Sequence, residues 1–279
     1  MLLTNYHTHG HYCDGKGSPA EMLAQAIELG FKAIGFSSHA PLPFDNDFCM
    51  YPDNLSNYVD DINALKSQSD IEVYLGLECD FIEGVVSPND TMWQALNLDY
   101  KIGSVHALSG PNDQYPMLSV DGPLEELDQL INGVYQGDVR AMVESYYQCV
   151  GTLCRSGGFD ILGHYDLVKK HNLSHGLFDE QAPWYREVAI NTLDSVAQSG
   201  VVLEVNYGGI IRGATQSAYP SYWLLEAVKA RHIPIQINAD AHAPYHLGTY
   251  HQACREQLLQ LGFTEQRVLL KGRWQDVPL

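Results

Sequence analysis

The chain has 279 residues, 45% of them hydrophobic, enough for a large buried core within one α/β domain. Its 34 acidic residues against 16 basic ones give a formal net charge of -18, which argues against a broad nucleic-acid-binding face. No stretch approaches the roughly 18 uninterrupted apolar residues of a membrane span, so no membrane association is expected.

Met1 is followed at once by strand-like sequence, Leu2-Leu3, without the pattern of a signal peptide. His7 and His9 stand where that strand should end, and alternation along an extended chain points both imidazoles to one volume. Ser18-Pro19-Ala20-Glu21 reads as a capping box. A helix follows, with Met22, Leu23, Ala26, Ile27 and Leu29 as its apolar stripe and Gly30 as its stop. Strand two, Lys32 to Ser38, lands on His39, and Pro41 to Asp53 reads as a long loop above the sheet.

A helix from about Leu55 to Lys66 leads to strand three, Ile71 to Leu77, ending at Glu78. After a helical patch near Asp90 to Leu96, strand four, Tyr100 to Val105, ends at His106. Ser109 to Gly122 reads as an excursion without regular structure. The stretch from Asp138 to Arg155 is helical by periodicity, and strand five, Phe159 to Gly163, ends at His164. Then come a helix over Trp184 to Gln198, strand six from Val201 to Val205, a helix from Pro220 to Lys229, and strand seven from Ile233 to Asn238. The seventh strand ends at Asp240-Ala241-His242, and a last helix, Tyr250 to Leu261, precedes a tail.

Seven strands alternating with amphipathic helices predict a parallel sheet with right-handed crossovers, closed or nearly closed into a distorted, TIM-like (β/α)7 barrel. No linker or low-complexity tract divides the chain, so residues 1–279 read as one domain. The six cysteines form no Cys-x-x-Cys pair, as expected of reduced, mostly buried thiols in a cytoplasmic protein.

His7, His9, His39, Glu78, His106, His164, Asp240 and His242 all fall at C-terminal strand ends, the face of a βα barrel where active sites are built. Side chains placed for packing have no reason to prefer that end. Six imidazoles with carboxylates exceed what one ion can use, so two or three metals sharing carboxylates are expected. Histidine and carboxylate ligands without thiolate suit Zn, Mn or Fe. Such metals make an in-line attack on a phosphate ester by a bridging hydroxide the expected chemistry.

Other positions stay open at this level. Asp14 reads either as a further ligand or as part of an Asp-Gly turn. His11 stands behind the ligands, touches substrate, or is simply exposed. Glu204 is a buried partner or an orienter of a ligating histidine. Arg212, in a glycine-rich loop after strand six, is the best phosphate-binding candidate and, with Asp240, a candidate for the catalytic step; a surface ion pair is the alternative. Lys169 is a weaker phosphate candidate, and surface exposure is expected for it and for Lys170. Asp80 or Glu83 are candidates to meet a substrate amino group. His171, His175, His232, His246 and His251 read as surface or packing residues.

The motifs His7-Thr8-His9, Ser38-His39-Ala40-Pro41, Gly76-Leu77-Glu78-Cys79-Asp80, Gly103-Ser104-Val105-His106, Gly163-His164-Tyr165-Asp166-Leu167 and Asp240-Ala241-His242 run from the first strand to the last. Together they resemble the polymerase and histidinol phosphatase (PHP) superfamily, most of all its monofunctional histidinol-phosphatase branch. The resemblance implies a distorted seven-stranded barrel and a trinuclear metal site. Its ligands carry over to His7, His9, Asp14, His39, Glu78, His106, His164, Asp240 and His242, with Arg212 matching the phosphate-binding arginine. It also implies hydrolysis of the small phosphorylated substrate L-histidinol phosphate. The rival readings are an amidohydrolase-type barrel, a phosphoesterase for another small ester, and a metal-stabilised domain kept for partner binding. The amidohydrolase pattern places a lysine at the end of strand four, where His106 stands here.

Overall fold

A computed structural model describes residues 3–112 and 115–279. The strands are β1 (Thr4–Asn5), β2 (Ala33–Phe36), β3 (Glu72–Asp80), β4 (Tyr100–Ser104), β5 (Ala107–Asn112), β6 (Tyr115–Ser119), β7 (Ile161–Leu162), β8 (Val202–Asn206), β9 (Ile235–Asn238), β10 (Glu265–Leu270) and β11 (Arg273–Pro278). The helices are α1 (Pro19–Glu28), α2 (Leu55–Gln68), α3 (Leu124–Asp128), α4 (Val139–Ser156), α5 (Asn172–His175), α6 (Pro183–Ser199), α7 (Gly208–Ile211), α8 (Tyr222–Ala230) and α9 (His251–Gln260).

Seven strands form one parallel sheet in the order β1-β2-β3-β4-β7-β8-β9, the predicted alternation of strand and helix. Leu2 lies outside the described residues, and the first strand is short. The sheet nevertheless curls back on itself. Thr8 bridges to Ala241 in parallel, with His9 N donating to Ala241 O at 2.8 Å and Ala241 N to His7 O at 3.0 Å.

One turn below, two side-chain amides stand in for peptide groups. Tyr6 N donates to Asn238 Oδ1 at 2.8 Å, and Ala239 N donates to Asn5 Oδ1 at 2.6 Å. An asparagine amide offers a carbonyl acceptor like that of the backbone, so it pairs the amides of strands that splay apart. The barrel is therefore nearly closed and distorted along this seam.

The α1 capping box forms as read, with Glu21 N donating to Ser18 Oγ and Ser18 N to Glu21 Oε2. Met22, Leu23 and Ala26 are buried, but Ile27 and Leu29, expected on the same stripe, are exposed because the helix ends beside them.

Two segments read as irregular are hairpins. The stretch Ser109 to Gly122 holds most of a hairpin that starts at Ala107, where β5 and β6 pair antiparallel with Leu108 opposite Leu118 and both buried. Asp113 and Gln114 lie outside the described residues. Pro111, Pro116 and the polar stretch between them masked the strands, since proline cannot donate to a ladder.

The tail folds as β10 and β11, joined at Lys271-Gly272, where φ is 52° and 68°. Two consecutive positive φ values give the twist that a two-residue hairpin requires, and glycine supplies one of them without strain. Val268 and Leu269 pack on Tyr6, Tyr74, Tyr100, Ile161 and Val202 and so plug the N-terminal end of the barrel. Tyr6 Oη donates to Leu269 O at 2.5 Å, and Tyr100 Oη donates across the interior to Tyr6 O at 2.6 Å. With one end plugged, the opposite rim is left for chemistry.

Candidate metal centre

That rim gathers the strand-end residues. Glu78 sits at its middle, wholly buried; β3 runs two residues further than expected, so Glu78 lies inside the strand and Asp80 ends it. Glu78 Oε2 lies 3.0 Å from His7 Nε2, 3.4 Å from His9 Nε2 and 3.2 Å from His39 Nδ1. Its Oε1 lies 2.9 Å from His164 Nε2 and 3.4 Å from His106 Nε2, and it accepts from Ser104 Oγ at 2.6 Å. One carboxylate thus faces five imidazoles brought from the ends of four strands, β1, β2, β4 and β7.

Asp240 closes the other side, its Oδ1 3.2 Å from His9 Nε2 and 3.5 Å from both His7 Nε2 and His242 Nδ1. Its φ of 50° is left-handed, a conformation that aspartate tolerates better than most residues and that recurs at functional sites. Asp14 Oδ2 lies 3.1 Å from His242 Nε2, while Oδ1 lies 3.8 Å from His9 Nδ1 and 3.9 Å from His39 Nε2. The donor atoms group as His9, Asp14, His39 and His242; His7, His9 and Asp240; His7, Glu78 and His164; and His39, Glu78 and His106. Shared members make these one continuous ligand field.

The lone pairs in that field oppose one another. His7 Nδ1 lies 2.6 Å from Glu204 Oε1 and His106 Nδ1 lies 2.6 Å from Asp80 Oδ1. A carboxylate acceptor assigns the ring proton to Nδ1 in each neutral imidazole, which leaves Nε2 as a bare acceptor turned inward. His7 Nε2 then faces Glu78 Oε2 at 3.0 Å, a contact that needs a proton or a metal cation between the two atoms. His7 Nε2, His9 Nε2, His39 Nδ1 and Glu78 Oε2 are all buried without a hydrogen-bond partner. Buried orphan acceptors at such spacing are costly unless a cation lies between them. The donor set fits divalent metal ions.

The titration shifts agree with a site that calls for positive charge. Burial pushes His7 down, but Glu204 and Glu78 outweigh it and hold the imidazole well above its ordinary value. His106 is raised in the same way by Asp80 and Glu78 against burial. Burial, with His242 and His39 nearby, lowers His9 to about 3, so it is neutral at working pH. Burial opposes ionisation of Glu78 and Asp240, yet His7 and His39 around the first, and Arg212 and His7 around the second, hold both far below the usual carboxylate range.

These observations are those of a PHP domain, whose family model matches residues 5–208. The chain belongs to the PHP domain family. A curated relative from Deinococcus radiodurans, "Probable histidinol-phosphatase", is 33% identical over 88% of each chain. A crystal structure from Listeria monocytogenes superposes with a TM-score of 0.74 at 21% identity, covering 90% of this chain and 99% of that one. The histidinol phosphate phosphatase of Lactococcus lactis, solved with zinc, L-histidinol and phosphate, gives a TM-score of 0.67 at 20% identity, with 98% of each chain covered. Both likenesses bear out the distorted barrel and, with the family match, displace the amidohydrolase reading.

Arg212 lies on the rim. It donates through one Nη to Asp240 O at 2.9 Å and through the other to Asp240 Oδ2 at 2.8 Å, with its side chain 30% exposed. Glu204 is buried behind His7. Three residues depart from expectation. Lys169, expected at the surface, is 2% exposed, its ammonium 2.9 Å from Asp166 Oδ2 and 3.0 Å from Ala218 O, with Ser221 Oγ also in contact. Lys170 is half-buried and paired with Asp121 Oδ2 at 3.0 Å. Asp80, weighed as a contact for a substrate amine, is buried behind His106 instead, because β3 extends to place it there.

His11 is exposed and lies against the Tyr12 ring at 4.4 Å, and Glu83 is exposed as well. His246 and His251, read as surface or packing residues, are both buried. Sequence reasoning missed Phe48, whose ring stands edge-on to His39 at 5.3 Å and to His106 at 6.3 Å. Asn46 Oδ1 fixes that turn by accepting from Phe48 N and Cys49 N, an Asx pattern visible in the loop but without a target until the fold supplies one. All six cysteines are free, and among the described residues no helix is long and apolar enough to cross a membrane.

Proposed function

We propose that the protein is a metal-dependent phosphomonoesterase that hydrolyses L-histidinol phosphate to L-histidinol and phosphate in histidine biosynthesis. The observation that carries the reading is the ring of inward-facing, partnerless nitrogen and oxygen atoms around Glu78, a donor set that divalent cations satisfy. The chemistry of the name comes from the relative at 33% identity. Three divalent ions, Zn, Mn or Fe, match nine donors, with His7, His9, Asp14, His39, Glu78, His106, His164, Asp240 and His242 holding them. Bound there, the ions supply Lewis acidity and a water that ionises near neutral pH.

The chain's own residues do the rest. Glu204 and Asp80 hold the His7 and His106 rings in one tautomer and orientation. Arg212 is placed to offset charge on the phosphoryl oxygens while its donated bonds keep Asp240 turned to the ligand field. Phe48 walls the mouth and limits access of water. Residues 1–279 act as one barrel domain in this reading, and six free thiols favour the cytoplasm.

The test measures phosphate release from L-histidinol phosphate beside a panel of other monoesters, with Mn, Zn or Fe supplied. A clear preference for L-histidinol phosphate supports the assignment. Equal rates across the panel would reduce it to a general phosphoesterase, and no hydrolysis with metals bound would leave a domain kept for binding alone.

A further inference from the structure

Tyr219 stands where β8 ends. It exchanges two backbone hydrogen bonds with Asn206, of 2.7 and 2.8 Å, which fixes its backbone beside the ligand field. Its ring meets the ring of His164 edge-on at 6.5 Å. Behind the ring lies the Lys169 ammonium, 5.0 Å from the centroid, itself pinned by Asp166 and Ala218. On the other side the chain gives way to the phenol. A Cβ at Gly209 would lie 2.7 Å from Tyr219 Cε2 and 2.9 Å from its Oη, too close for any side chain.

The hydroxyl held so firmly has no hydrogen-bond partner, although it is buried. Burial pushes its pKa up, with Asp166 adding to the rise and Arg212 opposing it, so the group remains a protonated donor. Beside the ring stands a metal-ligand candidate, His164, and one residue before the glycine that faces the phenol a Cβ at Gly208 would meet the rim guanidinium of Arg212 at 2.9 Å. A buried donor left unpaired is costly, and at the edge of a ligand field a bound group that accepts from it relieves that cost.

We propose that Tyr219 is a substrate contact whose hydroxyl donates a hydrogen bond to a non-bridging oxygen of the bound phosphoryl group, between Arg212 and His164. Lys169 is a positioning residue that holds the ring from behind, which explains a buried ammonium turned toward an aromatic face. The inference rests on the phosphomonoesterase reading.

The test is Tyr219→Phe, which removes the hydroxyl alone. The expected result is unchanged metal content, a melting temperature of the chelated protein no lower than that of the parent, and kcat/KM reduced at least tenfold on every monoester cleaved. The inhibition constant of inorganic phosphate should rise by a similar factor. Gly209→Ala, whose methyl would displace the phenol, should reproduce the weaker phosphate inhibition. Rates and phosphate inhibition within twofold of the parent in Tyr219→Phe would overturn the proposal, as would a lower melting temperature with phosphate inhibition unchanged. If the parent cleaves no monoester, the reaction reading fails by itself. Equilibrium dialysis of inorganic phosphate against the zinc-loaded parent and Tyr219→Phe proteins still decides the contact, equal affinities ruling it out.

Discussion

His7 Nδ1 and Glu204 Oε1 lie 2.6 Å apart with both side chains wholly buried. The other Glu204 oxygen accepts from the His164 amide and from Asn206 Nδ2, each at 2.9 Å. A single carboxylate therefore orients a ring from the end of β1, the backbone at the end of β7 and a side chain of β8.

Glu204→Gln keeps the volume and weakens that control. Loss of such an outer carboxylate typically costs about 10–100-fold in metal affinity. Competition with a chelator should show weakening of that order. Affinity equal to the parent's would mean that His7 is oriented by packing alone.

The metal-free protein should respond to pH in a defined direction. His7 and His106 have folded-state pKa values raised above the ordinary imidazole value, since their carboxylate neighbours outweigh burial. Their stabilisation is complete below the unfolded value of about 6.5 and is lost as pH rises through the folded values. The melting temperature of chelated protein should therefore fall as pH is raised above neutrality. With cations replacing protons, the loaded protein should hold its melting temperature, so the gap between the two widens. A chelated protein whose melting temperature ignores pH over this range would refute the coupling.

Arg212→Ala removes the proposed phosphate contact and two bonds that hold Asp240. Loss of one preorganised donor to a developing anion costs about 10²–10³ in turnover. Arg212→Lys should recover little, because a point charge cannot serve Asp240 and phosphate with a planar fork. Steady-state kinetics with metal content checked in parallel would show this, and near-parental kcat/KM in Arg212→Ala would remove its role.

The plug at the far end of the barrel should matter for stability and not for chemistry. Leu269 is buried against the tyrosines of the barrel floor, and truncation of such a residue costs about 2–5 kcal/mol. Leu269→Ala should lower the urea midpoint while turnover per folded, metal-loaded molecule stays the same. A midpoint equal to the parent's would show that the hairpin is dispensable.

Much of the candidate site was legible because its signals are local. Strand period, helix caps and the type of residue where a strand stops can be read within a few positions, and they brought His7, His9, His39, Glu78, His106, His164, Asp240 and His242 to one rim. The two hairpins were not legible, since prolines in one and a short tail in the other hide alternation that only pairing partners reveal. Lys169 and Asp80 were misplaced for a related reason. Charged residues are exposed by default, and only a buried counter-charge from elsewhere overturns that default: Asp166 for the first, His106 for the second.

By itself, the sequence determined which ligand-type side chains stand at the strand ends and therefore that the barrel has a polar, metal-competent rim. Tertiary structure alone decided which nitrogen of His7 and of His106 turns inward. That choice depends on a carboxylate far along the chain, 197 residues away in the case of His7 and Glu204, and only closure of the barrel brings the two into hydrogen-bond contact.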